Sequence, residues 1–104
     1  MSRRPPHPPR LSPKESLILD LLIEHSSMYG LELVSSSRGR LKRGTVYVTL
    51  GRMEEKGLVE SHQEPVSRRA DAPTRRMYRA TAHGHRVLDA WTTIARTFSM
   101  EPAR

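Results

Sequence analysis

The 104-residue chain contains no cysteine. That excludes a disulfide scaffold, a thiol nucleophile and any cysteine-ligated zinc or iron–sulfur centre. Aromatic residues are few, with one Phe, one Trp and three Tyr. The core therefore has to come mainly from Leu, Ile, Val and Met. Long apolar runs are missing too. The longest, Leu17 to Ile23, is interrupted by Asp20 and falls well short of the roughly 20 residues that span a bilayer. Arg3 and Arg4 precede Pro-Pro-His-Pro-Pro rather than the apolar segment of a signal peptide. The expectation is a soluble, cytoplasmic chain forming one small domain. A domain of this size buries only about 60–70% of its unfolded surface, so a second copy is a natural source of further burial.

Acidic residues are also in short supply. Eighteen Lys and Arg face 11 Asp and Glu, a net charge of +7 with a pI near 10.8. The excess is not spread evenly. Residues 1–37 hold four basic and four acidic side chains, and residues 80–104 hold three and two. Residues 38–79 hold eleven basic and five acidic, a net +6. Such clustering points to a polyanion-binding face, where a merely solvated surface would scatter its charge. Catalytic signals are missing. His7, His25, His62, His83 and His85 are scattered, and His83 and His85 are two apart, so they do not share a helix face as a metal pair would. The acids show no pairing, and there is no Gly-rich phosphate loop ending in Lys-Ser or Lys-Thr. The expectation is no enzyme, no metal and no cofactor.

Residues 1–10 are Pro-rich and basic, which predicts a flexible arm. Ser12, Pro13 and Glu15 form a helix start with a capping box, and the first helix is expected to run to about His25. Leu17, Ile18, Leu21 and Leu22 recur at helical spacing. A short second helix is expected over Tyr29–Ser36, followed by a Ser-rich turn to Gly39. The third helix is expected from about Arg43 to Lys56, with Val46, Leu50 and Met53 buried and Gly57 ending it. Its opposite side carries Gly44, Thr45, Val48, Gly51, Arg52 and Glu55. Two outward glycines weaken a helix by up to about 1 kcal/mol each relative to Ala, which a face approached closely by something large would explain. Leu58–Glu64 and Thr74–Thr81 read as an antiparallel hairpin with a long tip from Pro65 to Pro73. A last helix begins at Thr81 or Ala82 and reaches about Ser99. Its apolar stripe of Val87, Leu88, Trp91, Ile94, Ala95 and Phe98 exceeds what a three-helix core needs and points to a partner helix. The fold class is thus mainly α with a small antiparallel β-hairpin: a winged helix-turn-helix over 11–81, a C-terminal dimerisation helix over 82–99 and a tail over 100–104.

Three ordered blocks carry a family resemblance. Met28-Tyr29-Gly30-Leu31-Glu32-Leu33 is similar to a "YGYEL" second helix. Gly44-Thr45-Val46-Tyr47, Leu50, Arg52-Met53-Glu54 and Gly57-Leu58-Val59 are similar to a "GTLYPLLHRLEKEGLV" recognition helix. Arg75 to Thr81 with Gly84 is similar to an "RRYYRLTEEG" segment. Across residues 11–98 the chain resembles the PadR family of bacterial transcriptional regulators. It departs from the family at Lys42-Arg43, where Ser-Pro or similar is common, and at Val48, which replaces a common Pro.

The resemblance implies a dimeric repressor that binds a pseudo-palindromic double-stranded DNA operator. It implies a dimer built through the last helix with help from the first, and in many members a small hydrophobic or phenolic effector. For this chain, Arg43, Gly44, Thr45, Val48 and Arg52 are the candidates for reading base edges near the start of the third helix. Arg38, Arg40, Lys42, Tyr47, Arg68, Arg69, Arg75 and Arg76 are the candidates for phosphate contacts. Val87, Leu88, Trp91, Ile94, Ala95 and Phe98, with Leu17 and Leu21, are the candidates for the dimer interface. Trp91 has a second reading as the wall of a cavity for a small aromatic effector. The competing class is a winged-helix module for protein–protein or RNA contact, with its basic charge serving solubility.

Overall fold

A computed structural model describes residues 9–99. The expected arm therefore lies outside the described residues except for Pro9 and Arg10, and the tail at 100–104 lies outside them altogether. Four helices and three short strands follow in the order α1 (Pro13–His25), β1 (Met28–Tyr29), α2 (Gly30–Ser36), α3 (Arg43–Glu55), β2 (Val59–Pro65), β3 (Thr74–Ala80) and α4 (Ala82–Ser99).

α1 starts as its sequence dictates. The Glu15 amide donates to Ser12 Oγ at 3.1 Å, and the Ser12 amide donates back to Glu15 Oε1 at 2.9 Å. Each bond satisfies an amide that the helix cannot pair internally. Ile18, Leu19 and Leu22 then enter a core shared with Leu33 and Leu41, with Val46, Leu50 and Met53 of α3, and with Leu58, Val59, Tyr78, Val87 and Leu88. α3 ends in a Schellman motif. Gly57 adopts φ +76°, its amide donates to the Glu54 carbonyl at 3.0 Å, and the Leu58 amide donates to the Met53 carbonyl at 2.9 Å. The motif reverses the chain sharply enough for Met53, before the turn, and Leu58, after it, both to be fully buried.

The hairpin expected from the sequence gains a third strand. The sheet order is β1-β3-β2, all antiparallel, with Tyr29 and His62 both opposite Met77. β3 is thus the central strand, and Met77 and Tyr78 are both buried although they point to opposite faces. Thr81 joins sheet to helix. Its Oγ1 donates to the Gly57 carbonyl and accepts from the Gly84 amide at 3.0 Å, which caps α4.

One ion pair crosses the domain. Lys56 Nζ, just past α3, lies 2.8 Å from Glu15 Oε2 in the first turn of α1. Burial of the Glu15 carboxyl pushes its pKa up. The Lys56 hydrogen bond, the Ser12 amide and the Lys56 charge outweigh burial and hold it below the usual 4.5. A carboxyl lowered in this way contributes stability above its unfolded pKa and loses it as pH falls through its folded pKa. Lys56→Met is therefore expected to cost about 1 kcal/mol near pH 7. Urea denaturation should show that difference narrowing below pH 4.5.

Candidate nucleic-acid interface

The turn between α2 and α3 is set by Ser37. Its buried hydroxyl donates to the Val34 carbonyl at 2.7 Å and accepts from the Leu41 amide at 2.9 Å. Arg38 and Gly39 take left-handed conformations, at φ 55° and 84°. Leu41 is thereby drawn into the core, while Arg38, Arg40 and Lys42 stand exposed on the approach to α3. Lys42 occupies the N-cap of α3 and supplies no side-chain hydrogen bond to it. A cation thus stands where a capping side chain would accept a hydrogen bond. The uncapped amides and the positive end of the helix dipole form a start to α3 that suits a phosphate.

α3 buries Val46, Leu50 and Met53 as expected. Its outer side holds Gly44, Thr45, Val48, Gly51, Arg52 and Glu55, all exposed. Val48 is 56% exposed, an apolar side chain held in the open. A Cβ added to Gly44 or Gly51 would meet no atom within 4 Å, so these glycines are not required by packing within the chain. One flank of this face borders a cleft of about 540 Å3 against the start of α1, lined by Ser12, Lys14, Glu15, Thr45, Val48, Thr49, Arg52 and Lys56. Sequence reasoning missed Lys14, Thr49 and Lys56 here. Thr49 was visible as the i+4 neighbour of Thr45, and its Oγ1 donates to the Thr45 carbonyl at 3.2 Å.

The other flank of α3 carries Tyr47. It is 49% exposed, and its ring lies across Gly30 at the start of α2. A Cβ on Gly30 would stand only 2.5–2.7 Å from the ring and hydroxyl of Tyr47. Gly30 therefore allows the close approach that seats the ring.

The β2–β3 hairpin engages its arginines within the fold in ways that the charge count did not reveal, two of them in ion pairs. Arg79 pairs with Glu60, its directly opposite neighbour in the register. Arg69 lies 3.3 Å from Asp71. Arg76 donates to Ser61 Oγ at 2.9 Å, and Ser61 in turn donates to Glu54 at 2.8 Å, which ties the hairpin to α3. Arg75 stacks over the Tyr29 ring, 4.3 Å from its centroid. The guanidinium stays exposed, but its place is fixed by the ring. Among the described residues, Arg68 makes no ion pair. No group of three or more His, Asp or Glu that could hold a metal ion occurs among them either.

The apolar stripe of α4 divides into two parts. Val87 and Leu88 are 3% and 8% exposed and belong to the chain's own core. The nearby Gly84 lies close against the Leu58 backbone and the Leu19 side chain, where the first turns of α4 meet that core. Trp91 is half-buried and packs against the edge of the core, and further along α4 Ile94 is half-buried and Ala95 exposed. Leu17 and Leu21 of α1 are half-buried. The Phe98 side chain lies outside the described residues. The Trp91 indole N–H donates to the Pro9 carbonyl at 2.6 Å, joining α4 to the segment before α1.

The family model "Transcriptional regulator PadR-like family" matches residues 18–90. A crystal structure of a PadR family transcription regulator from Clostridium difficile is 31% identical, covers 82% of this chain and 88% of its own, and superposes with a TM-score of 0.68. A PadR family regulator from Eggerthella lenta is 28% identical, covers 83% of this chain and 74% of its own, and gives 0.67. The PcaV regulator of Streptomyces coelicolor, solved with its natural ligand, shares the fold at 22% identity, with coverages of 86% and 59% and a TM-score of 0.68. No curated protein sequence matches the chain. Among the described residues, no helix is long and apolar enough to cross a membrane.

Proposed function

The chain belongs to the PadR-like family of transcriptional regulators, and we propose that it is a homodimeric repressor whose α3 reads a pseudo-palindromic operator. The observation that carries this reading is the outer face of α3. It combines an uncapped, cation-flanked start with two glycines that no packing requires and an open Val48 beside Thr45 and Arg52. Such a face suits a helix placed in the major groove. Gly44 and Gly51 let the backbone come close, Arg43 or Arg52 can form a bidentate pair with guanine, and Thr45 and Val48 can touch a thymine methyl. Arg38, Arg40, Lys42 and Tyr47 would hold the flanking phosphates, and the hairpin would lie along the backbone as a wing. There Arg68, Arg75 and Arg76, which make no ion pair among the described residues, have more charge to offer DNA than Arg69, which pairs with Asp71.

The dimer would form on Trp91, Ile94, Ala95 and Phe98 of α4, with Leu17 and Leu21 of α1. Regulators of this family act on DNA rather than as catalysts, which supports a non-catalytic role and a cytoplasmic place of action. Relief by a planar aromatic effector would act beside Trp91, whose fluorescence would report it.

Selection of bound duplexes from a random pool, with competitor DNA at physiological salt, tests the reading. The expected outcome is an inverted-repeat consensus with half-sites about 10–10.5 base pairs apart, centre to centre. Recovery of no consensus, or of RNA in preference to duplex DNA, would contradict it.

A further inference from the structure

The first 37 residues carry no net charge, and nothing in their sequence joins them to the basic surface. The fold changes that. Lys14, in the first turn of α1, borders two depressions at once. On one side it lines the cleft of about 540 Å3 with Thr45, Val48, Arg52 and Lys56. On the other it lines a hollow of about 260 Å3 with Pro13, Leu17 and Arg40. It therefore stands between the turn that precedes α3 and the outer face of α3 itself. Glu15, the acid in this neighbourhood, is occupied by Lys56 and the Ser12 amide. Among the described residues, Lys14, Arg40 and Arg52 make no ion pair. Lys14 thus shares one depression with Arg52 and the other with Arg40, three cations without an ion pair among the described residues. Lys14 also sits where a helix least favours a cation, at the positive end of the dipole.

We propose that Lys14 is a phosphate-anchoring residue, and that the cleft between α1 and α3 takes the backbone of one DNA strand. This rests on the reading of α3 as the recognition helix. A helix with side chains is about 10–12 Å across and the major groove about 12 Å wide. Whatever flanks α3 must then meet the groove's rims. The flank bearing Tyr47 is walled by α2 and faces one rim. The flank bearing Thr45, Thr49 and Arg52 is walled by the first turn of α1 and faces the other. Lys14 is the cation on that wall, so the two strands would be held from opposite sides of one helix.

The test compares wild type, Lys14→Ala and Lys14→Arg. Binding is measured by fluorescence anisotropy on a pool-selected duplex and on a scrambled duplex of equal length, across a range of salt. Lys14→Ala is expected to bind both duplexes several-fold more weakly, with the slope of log K against log salt reduced by about 0.9 for each phosphate no longer neutralised. Lys14→Arg should keep the wild-type slope. The melting temperature of Lys14→Ala should be equal to wild type or higher, since a charge opposing the dipole is removed, and a merely structural role would lower it. An unchanged slope in Lys14→Ala, a loss confined to the selected duplex, or a loss that tracks a lower melting temperature would overturn the assignment while leaving α3 as the reader. Wild type that binds duplex without salt dependence would overturn the DNA reading itself.

Discussion

Gly84→Ala is expected to destabilise the fold by about 2–3 kcal/mol. Gly84 is the N3 residue of α4, and its amide already caps the helix through Thr81. A Cβ there would overlap the Leu58 carbonyl oxygen and lie 3.2 Å from Leu19 Cδ2. The nearest obstacle is backbone, and it is held in place. The Leu58 carbonyl accepts from the Thr81 amide at 3.0 Å, and Leu58 itself is locked by the Schellman motif after α3. Relief requires α4 to lift away from Leu58 and α1, and Val87 and Leu88 would leave the core with it. For a domain near this size, 1 kcal/mol shifts the melting temperature by about 4–8 °C. The variant should therefore melt about 10 °C or more below wild type when both are followed by circular dichroism at equal protein concentration. Gly51→Ala is the control: a Cβ there meets nothing within 4 Å, and helix propensity predicts a gain of up to about 1 kcal/mol. Equal melting of Gly84→Ala and wild type would mean that α4 does not dock as described.

Ile94→Glu is expected to abolish the proposed dimer and, with it, most operator affinity. Ile94 is half-buried in α4 past the last core residues, so a charge there disturbs the protomer less than at Val87 or Leu88. It is also a cleaner probe than Trp91, which holds Pro9 through its indole N–H. A dimer engages two half-sites, and linking them raises affinity by about 10²–10⁴ over one alone. Sedimentation velocity should give a monomer mass for Ile94→Glu, and binding to the selected duplex should fall by about 100-fold or more. A dimer mass in the variant would move the interface off this face of α4.

Much of the fold is readable from local chemistry. The Ser12–Glu15 box and Gly57 mark where α1 begins and α3 ends, because each acts through residues three or four apart. β1 has no such signal. Met28 and Tyr29 are too short to show a period, and they become a strand only because β3 lies alongside to pair with them. The stripe of α4 shows the same limit. Periodicity marks its apolar side but does not say that Val87 and Leu88 belong to the core, Trp91 to its edge and Ile94 to neither.

The candidate site was less legible than the fold. A count of arginines locates the basic segment but not its pairing. Glu60 cancels Arg79 through strand register, and Glu54 reaches Arg76 only by way of Ser61. Lys14 was hidden in a segment of zero net charge. It joins the surface only when α1 folds against α3.

Sequence reading by the open face of α3 is tested most directly by the specificity ratio. The dissociation constant for a scrambled duplex is divided by that for the selected duplex at physiological salt, for wild type and for Val48→Glu. Specific sites typically bind about 10³-fold or more tighter than non-specific DNA, and wild type should reach that ratio. Val48→Glu places a charge on an already exposed position, so the fold should hold while the ratio collapses towards one. A wild-type ratio near one, or a Val48→Glu ratio equal to that of wild type, would contradict the claim that α3 reads the sequence.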